Sequence, residues 1–391
     1  MSDISMSLFA DSNIGMRRSI NEDSCLIADL ETGNSEKPSQ LLTHQVGEHG
    51  YLMVVSDGMG GAAAGEVASD FAVKTMLEKL LKLTTDRSVA DQLREAVETA
   101  NQRIWNHAEE NPELSGMGAT LTAIIAYDGK AHVAQVGDSR AYLLRQGVIE
   151  QLTKDQSLVQ ALLDSGMVQP EQAHLIPQNV ILQALGTQPA VSAVMTEFEL
   201  CRNDALIMCS DGLSNKITPE EMVDIIANAP SVEAAGSTMI ALANERGGED
   251  NITVIIAKFD GESLSEKTES KRITGNFNAF DKNISYEEAQ YIANRYVPPA
   301  GSEEVAESEG INAASTGILK MPTTFGGAAA APEQEAEDET PVIEDAETIA
   351  AREAVAQKHN ASERKTMMVM WVVAIISLLL LAVVGYLMLK K

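Results

Sequence analysis

YLMVVSDGMGG, residues 51–61, is the stretch that decides the fold class. Five apolar residues in a row form a strand, and Ser-Asp-Gly stops it in a tight turn. The pattern returns at ALIMCSDG, residues 205–212. Elsewhere, ATLTAIIAYDG (119–129), AHVAQVGDSRAYLLR (131–145) and NITVIIAKF (251–259) are also rich in apolar and β-branched residues and read as strand segments. Helical patterns occupy 64–82, 89–110, 220–228 and 232–245, so helices come in pairs between groups of strands. Hairpins without regular βαβ alternation predict packed sheets covered by helices, an α+β fold rather than a doubly wound sheet.

Four short acidic segments sit at the ends of these elements: NED (21–23), SDGMGG (56–61), SDGL (210–213) and GEDN (248–251). Each puts a carboxylate at a strand end or turn, where several such groups can converge on hard divalent cations. Asp57 stands where the backbone turns, and Gly58 lets that backbone approach a cation so that its carbonyl can serve as a ligand. Asp211 repeats the arrangement, and Asp250 precedes the last strand. Glu22 and Asp23 are expected from a first hairpin. Oxygen ligands suit Mg²⁺ or Mn²⁺ and disfavour zinc or copper, and the six histidines fall outside the acidic motifs. The residues read as a metal-dependent hydrolase.

The 391 residues carry 29 Lys and Arg against 57 Asp and Glu, a net charge of −28. Such a surface repels phosphate backbones, which excludes nucleic acid as a partner; a phosphorylated substrate must be drawn by a local site. The three cysteines, Cys25, Cys201 and Cys209, lack CxxC spacing, so neither a disulfide framework nor a zinc knuckle is indicated.

Residues 1–262 are expected to form the catalytic domain. Residues 263–365, rich in Ser, Thr, Ala, Glu and Pro, have the composition of an acidic, mostly disordered linker with short helices. Residues 366–389 hold no charged side chain and are long enough to cross a hydrocarbon layer of about 30 Å. Trp371 and Tyr386 lie near the two ends of this run, as interfacial aromatics do, and Arg364, Lys365, Lys390 and Lys391 bracket it. A single C-terminal membrane span with the catalytic domain on the cytoplasmic side is expected, since the start of the chain has no secretory signal pattern.

GMRRSINED, VVSDGMGG, GMGATL, VGDSRAYLLR, SLVQALLDSGMV, ILQALG, MCSDGLSN and EDNITVIIA follow one another between Met6 and Phe259. In that order they resemble the PP2C-like, metal-dependent protein serine/threonine phosphatases of the bacterial type. The resemblance implies an α-β-β-α sandwich, two packed sheets flanked by helix pairs, with a binuclear Mn²⁺ or Mg²⁺ centre between the sheets. By position, Asp57 would bridge both ions and the Gly58 carbonyl would bind one. Asp211 and Asp250 would hold the other, with Glu22 and Asp23 acting through bound water or from behind the ligands. Asp138 matches a carboxylate that some members use for a weaker third ion, and reads equally as a turn residue. Arg18, chosen over Arg17 by the spacing GxxRxxNED from Gly15, would clamp the substrate phosphate. The implied reaction is hydrolysis of phosphoserine and phosphothreonine on proteins in one step, by water or hydroxide bound between the two metals, reversing a cognate kinase.

The sequence departs from the family at two positions. Met59 stands where animal and plant members commonly carry His, and Gln156 where many relatives have His. Residues 157–188 correspond to a variable flap beside the cleft. A cysteine phosphatase is disfavoured because no cysteine stands six residues before an arginine, and an NTPase because GxxxxGK[ST] is absent. The alternative left open is a membrane-tethered regulator that binds phosphoproteins on the same fold without cleaving them.

Overall fold

The computed structural model describes residues 4–36, 42–46, 49–61, 64–81, 83–84, 86–266, 273–274, 290 and 317–318. The expected membrane span, nearly all of the linker and the second compact unit, Pro322–Lys391, lie outside the described residues. Among the described residues no helix is long and apolar enough to cross a membrane.

Two antiparallel sheets form the centre. The first orders β10 (Val148–Gln151), β9 (Arg140–Arg145), β13 (Ala205–Cys209), β14 (Ile252–Asp260), β1 (Ser5–Asn13) and β4 (Leu42–Gln45). The second orders β15 (Ile273–Thr274), β12 (Val194–Glu199), β8 (Lys130–Val136), β7 (Leu121–Tyr127), β5 (Tyr51–Met59), β2 (Asp23–Asp29) and β3 (Ser35–Glu36), with β6 (Gly118–Ala119) paired to β5. Helices α1 (Ala64–Leu80) and α2 (Val89–Glu110) cover the outer face of the second sheet, and α5 (Pro219–Asn228) and α6 (Val232–Glu245) that of the first. The flap segment holds α3 (Leu158–Asp164), β11 (Val180–Ile181) and its own apolar cluster around Leu158 and Leu162. A one-turn α4 (Asp211–Ser214) follows β13.

The layers explain the unbroken apolar runs. Along β5, Tyr51, Met53 and Val55 point into the core between the sheets, while Leu52 and Val54 pack against α1 and α2. In β14, Ile255 and Ala257 face inward and Val254 and Ile256 face α6. A strand covered on both faces needs apolar residues at every position, so it shows no alternation. The helices begin at local signals: Ser88 and Ser231 cap α2 and α6, and Thr218 with Glu221 forms a capping box on α5.

Two connections differ from the sequence reading, and both bear on function. β1 and β2 do not form a hairpin: β1 pairs with β14 and β4, whereas β2 pairs with β5 and β3. The segment 131–145 is also two strands, β8 in the second sheet and β9 in the first. Gly137, at φ +97°, makes the break, and a Cβ there would stand 2.7 Å from Thr120 Cγ2. In both cases the chain crosses from one sheet to the other at the same end of the sandwich. Sheet partner choice is a non-local matter that local pattern does not encode.

Candidate metal centre

The crossings gather the acidic residues. Asp23, first in β2, sits directly opposite Asp57 near the end of β5, which puts their Cβ atoms about 5 Å apart. Asp211 opens α4 after β13, Asp250 lies just before β14, and Asp138 occupies the β8 to β9 crossing. At this end of the first sheet Cys209 pairs with Arg140 and Val254, and Asn13 with Ile252, so the four strand ends are level.

Hydrogen bonds from neighbouring segments hold the strand ends that carry the carboxylates. Thr120 Oγ1 accepts the Asp57 amide at 2.9 Å, and the Thr120 amide donates back to the Asp57 carbonyl at 2.8 Å. The same hydroxyl contacts Ser139 Oγ at 2.7 Å, which ties the Asp57 strand end to the Asp138 crossing. Asp23 Oδ2 accepts from Ser210 Oγ at 2.7 Å and from Thr253 Oγ1 at 2.6 Å. Asn251 is the keystone: its Oδ1 accepts the Glu22 amide at 2.8 Å, while its Nδ2 donates to the carbonyls of Ile14 and Ile20. Gly58 lies against the opening of α1, where a Cβ would meet the Gly65 carbonyl oxygen at 2.0 Å and the Glu22 carbonyl oxygen at 2.6 Å.

What remains open is anionic. Among the described residues, Glu22 Oε1, Asp23 Oδ1 and Asp211 Oδ1 are buried and have no hydrogen-bond partner. A buried carboxylate oxygen without a donor is costly. Burial, followed by the charges of Asp23, Asp211 and Asp250, pushes the Asp57 carboxyl well above the usual range. Burial raises Asp23 to about 7, against the two hydroxyl bonds that lower it. Burial and the neighbouring Asp250 raise Asp211 to about 6. Asp138 is likewise raised well above the usual range by burial and then by Asp211. Like charges crowded in a desolvated cleft favour protons or cations.

This donor set fits divalent metal: oxygen only, with three orphaned oxygens from two segments far apart in the chain. Among the described residues no three His, Cys, Asp or Glu side chains close about a single point. The fit therefore rests on the orphaned oxygens and on the glycine-permitted approach of the Gly58 backbone.

Arg18 lies in the cluster and Arg17 on the exposed surface. Arg18 Nη2 donates to Asp250 Oδ2 at 2.8 Å, and Nη1 stands 3.6 Å from Glu22 Oε2. Burial works against its charge, but the Asp250 bond and the nearby carboxylates raise its pKa above the ordinary value. Met59 is buried with Ile181 and Ala184 of the flap segment, so the side chain after Asp-Gly is a packing residue. Gln156 is fully buried, accepting from the Gly137 amide at 2.8 Å and from Gln183 Nε2 at 2.9 Å, and thereby fixes the crossing that carries Asp138. Burial pushes Cys25 and Cys209 up to about 12, so neither supplies a thiolate nucleophile.

Sequence reading finds the carboxylates and misses their supports. Thr120, Ser139, Ser210, Asn251 and Thr253 look like ordinary strand and turn residues, and only their immediate proximity to GATL, GDS, SDG and EDN marks them.

A two-sheet sandwich with a carboxylate cleft between the strand ends suits metal-assisted hydrolysis. A protein phosphatase 2C family model matches residues 38–246, more than half of the sequence, and the chain belongs to that family. Arg18, Glu22 and Asp23 precede the matched stretch. The serine/threonine phosphatase stp of Listeria monocytogenes is 38% identical over 213 residues, covering 54% of this chain and 84% of the relative. The serine/threonine protein phosphatase PstP of Mycobacterium tuberculosis is 39% identical over 209 residues, 53% of this chain and 40% of that one. Among solved structures, the catalytic domain of a PstP in complex with two manganese ions aligns with a TM-score of 0.55 at 32% identity, over 66% of this chain and 99% of its own.

Proposed function

We propose that this chain hydrolyses phosphoserine and phosphothreonine in proteins with two Mn²⁺ or Mg²⁺ ions. Asp57, the Gly58 carbonyl, Asp211 and Asp250 would hold the ions, with Glu22 and Asp23 beside them. The observation that carries the reading is that Asp23 faces Asp57 across the strand ends while, among the described residues, buried oxygens of Glu22, Asp23 and Asp211 have no hydrogen-bond partner. It is supported by relatives named as serine/threonine phosphatases and by the two manganese ions of one of them. When bound, such a pair supplies a water nucleophile at neutral pH and neutralises charge on the phosphoryl oxygens.

The chain's own residues do the rest. Arg18 is held by Asp250 and Glu22; an arriving phosphoryl group takes over guanidinium N–H groups from these carboxylates, and the planar fork orients it. Asp23 is fixed through Oδ2 by two hydroxyls, which leaves Oδ1 as the oxygen it can offer to a cation. Met59 offers no proton to the leaving group, so that proton comes from water or another group. Asp138, locked by Gln156 and Ser139, is the candidate for a third, weaker ion.

The test is phosphate release by the full-length chain from a phosphothreonine peptide. Release should need Mn²⁺ or Mg²⁺, vanish with chelator, and fall at least 10²-fold in Asp57→Asn. Arg18→Ala should mainly raise KM. A folded protein that binds the phosphopeptide but releases nothing would instead favour the non-cleaving regulator.

The sequence further supports a C-terminally anchored protein whose catalytic domain faces the cytoplasm, near a membrane-bound kinase whose products it reverses. Tethering raises the effective concentration at the bilayer, with the acidic linker setting reach. Membrane fractionation of the full chain against one ending at Lys365 tests this: equal solubility of the two would refute the anchor.

A further inference from the structure

Resting on the phosphatase reading above, we propose that the loop of residues 14–20 is a docking surface for an apolar side chain flanking the phosphorylated residue of the substrate. Among the described residues five large hydrophobic side chains are exposed, and three lie here: Ile14 at 39%, Met16 at 69% and Ile20 at 38%. Exposed apolar residues gathered at one place mark contact surfaces more often than scattered ones do.

The loop is not a frayed end. The buried Asn251 carboxamide donates to the carbonyl of Ile14 at 2.9 Å and of Ile20 at 3.0 Å, pinning both ends with one side chain. The Gly248 carbonyl accepts from the amides of Met16 at 2.7 Å and Arg17 at 3.2 Å, pinning the apex. Gly15, at φ +79°, lies so close to the Asp250 backbone that a Cβ would stand 2.2 Å from its carbonyl oxygen. The backbone is thus tied at four places while Met16 projects into solvent. A pre-organised loop presents its side chains at little entropic cost on binding.

The occupant follows from continuity with the site. Arg18 belongs to the same loop and meets Asp250 in the cleft. Met16 is two residues away, at most about 7 Å along an extended chain. A peptide whose phosphate reaches Arg18 therefore lays the side chain one or two positions from its phosphoresidue across Met16. The loop carries Arg17 and Arg18 and no acid, in a chain of net charge −28, which suits a phosphorylated segment. Preference is expected for Leu, Ile or Met beside the phosphoresidue over Gly or Ser.

The test compares kcat/KM of the full-length protein with Mn²⁺ on two phosphothreonine peptides of equal charge, one with leucine and one with glycine flanking the phosphothreonine, and on p-nitrophenyl phosphate. Partial burial of Met16 against leucine predicts about a tenfold preference for the leucine peptide, seen in KM. Met16→Ser should collapse that ratio toward one, and Met16→Leu should keep it. A wild-type ratio near one overturns the proposal, as does a ratio that Met16→Ser leaves intact. Peptide ratios near one with kcat/KM changing with enzyme concentration would assign the patch to a second copy of this chain, which also overturns it. Release from p-nitrophenyl phosphate separates these results from failure of the phosphatase reading, in which no substrate is hydrolysed and both fall.

Discussion

Replacing Gly58 with alanine should disable the centre by sterics alone. Gly58 has no positive φ, so alanine suits its own backbone. The added Cβ would nonetheless meet the Gly65 carbonyl oxygen at 2.0 Å, its carbon at 2.4 Å and the Glu22 carbonyl oxygen at 2.6 Å. All three are backbone atoms, and a 3.0 Å contact is the closest that real Cβ atoms show. The gap between β5 and the first turn of α1 must therefore open by about 1 Å, at a cost of about 1–3 kcal/mol. The same shift moves Glu22, Asp57 and the Gly58 carbonyl relative to Asp211, and a displacement of about 1 Å in a reacting geometry costs about 10²-fold in rate. Gly129→Ala is the matched control. Gly129 lies at φ +71° on the β7 to β8 turn with open space around its Cβ position; it should lose about 1 kcal/mol of stability with turnover unchanged. Urea unfolding and phosphate release over a Mn²⁺ titration read both quantities. Wild-type turnover and Mn²⁺ affinity in Gly58→Ala would refute the claim that close backbone approach builds the site.

Asp23 at about 7 and Asp211 at about 6 stand above the ordinary 3.8, so in the folded, metal-free protein they retain protons that the unfolded chain sheds between about pH 4 and 7. Their contribution to stability therefore falls as pH rises through that window, and because Mn²⁺ requires the ionised form its stabilising increment in Tm should grow over the same range; equal increments at pH 5 and pH 7.5 would show that no such carboxyl titrates on binding. Asn251→Ala should cost about 2–4 kcal/mol in urea unfolding, since it strands the Ile14 and Ile20 carbonyls and the Glu22 amide. An unchanged midpoint would mean that the loop carrying Arg18 is held elsewhere. Thr253→Val removes one of the two hydroxyls on Asp23 Oδ2 and should raise the Asp23 pKa, shifting the lower limb of the pH–rate profile to higher pH, whereas an unmoved limb would deny Asp23 any part in it.

Short-range chemistry along the chain sets the elements and the inventory of the site. Apolar runs of strand length, serine and threonine caps, and Asp-Gly turns act within a few residues, so β5, β13, the paired helices, and Asp57, Gly58, Asp211 and Asp250 are legible in the amino-acid order. The choice of Arg18 over Arg17 comes from spacing; in the fold Arg18 bonds Asp250 and Arg17 is exposed. Which strands meet is settled only by packing in three dimensions. Nothing local in residues 5–29 says that β1 pairs with β14 and β2 with β5, or that the chain breaks at Gly137 to pass Asp138 between sheets. The decisive contacts join residues more than two hundred positions apart, such as Asn13 with Ile252 and Thr253 with Asp23. The same long-range packing turns Asn251 and Thr120 from ordinary polar residues into the supports of the centre, and leaves Ile14, Met16 and Ile20 facing solvent beside it.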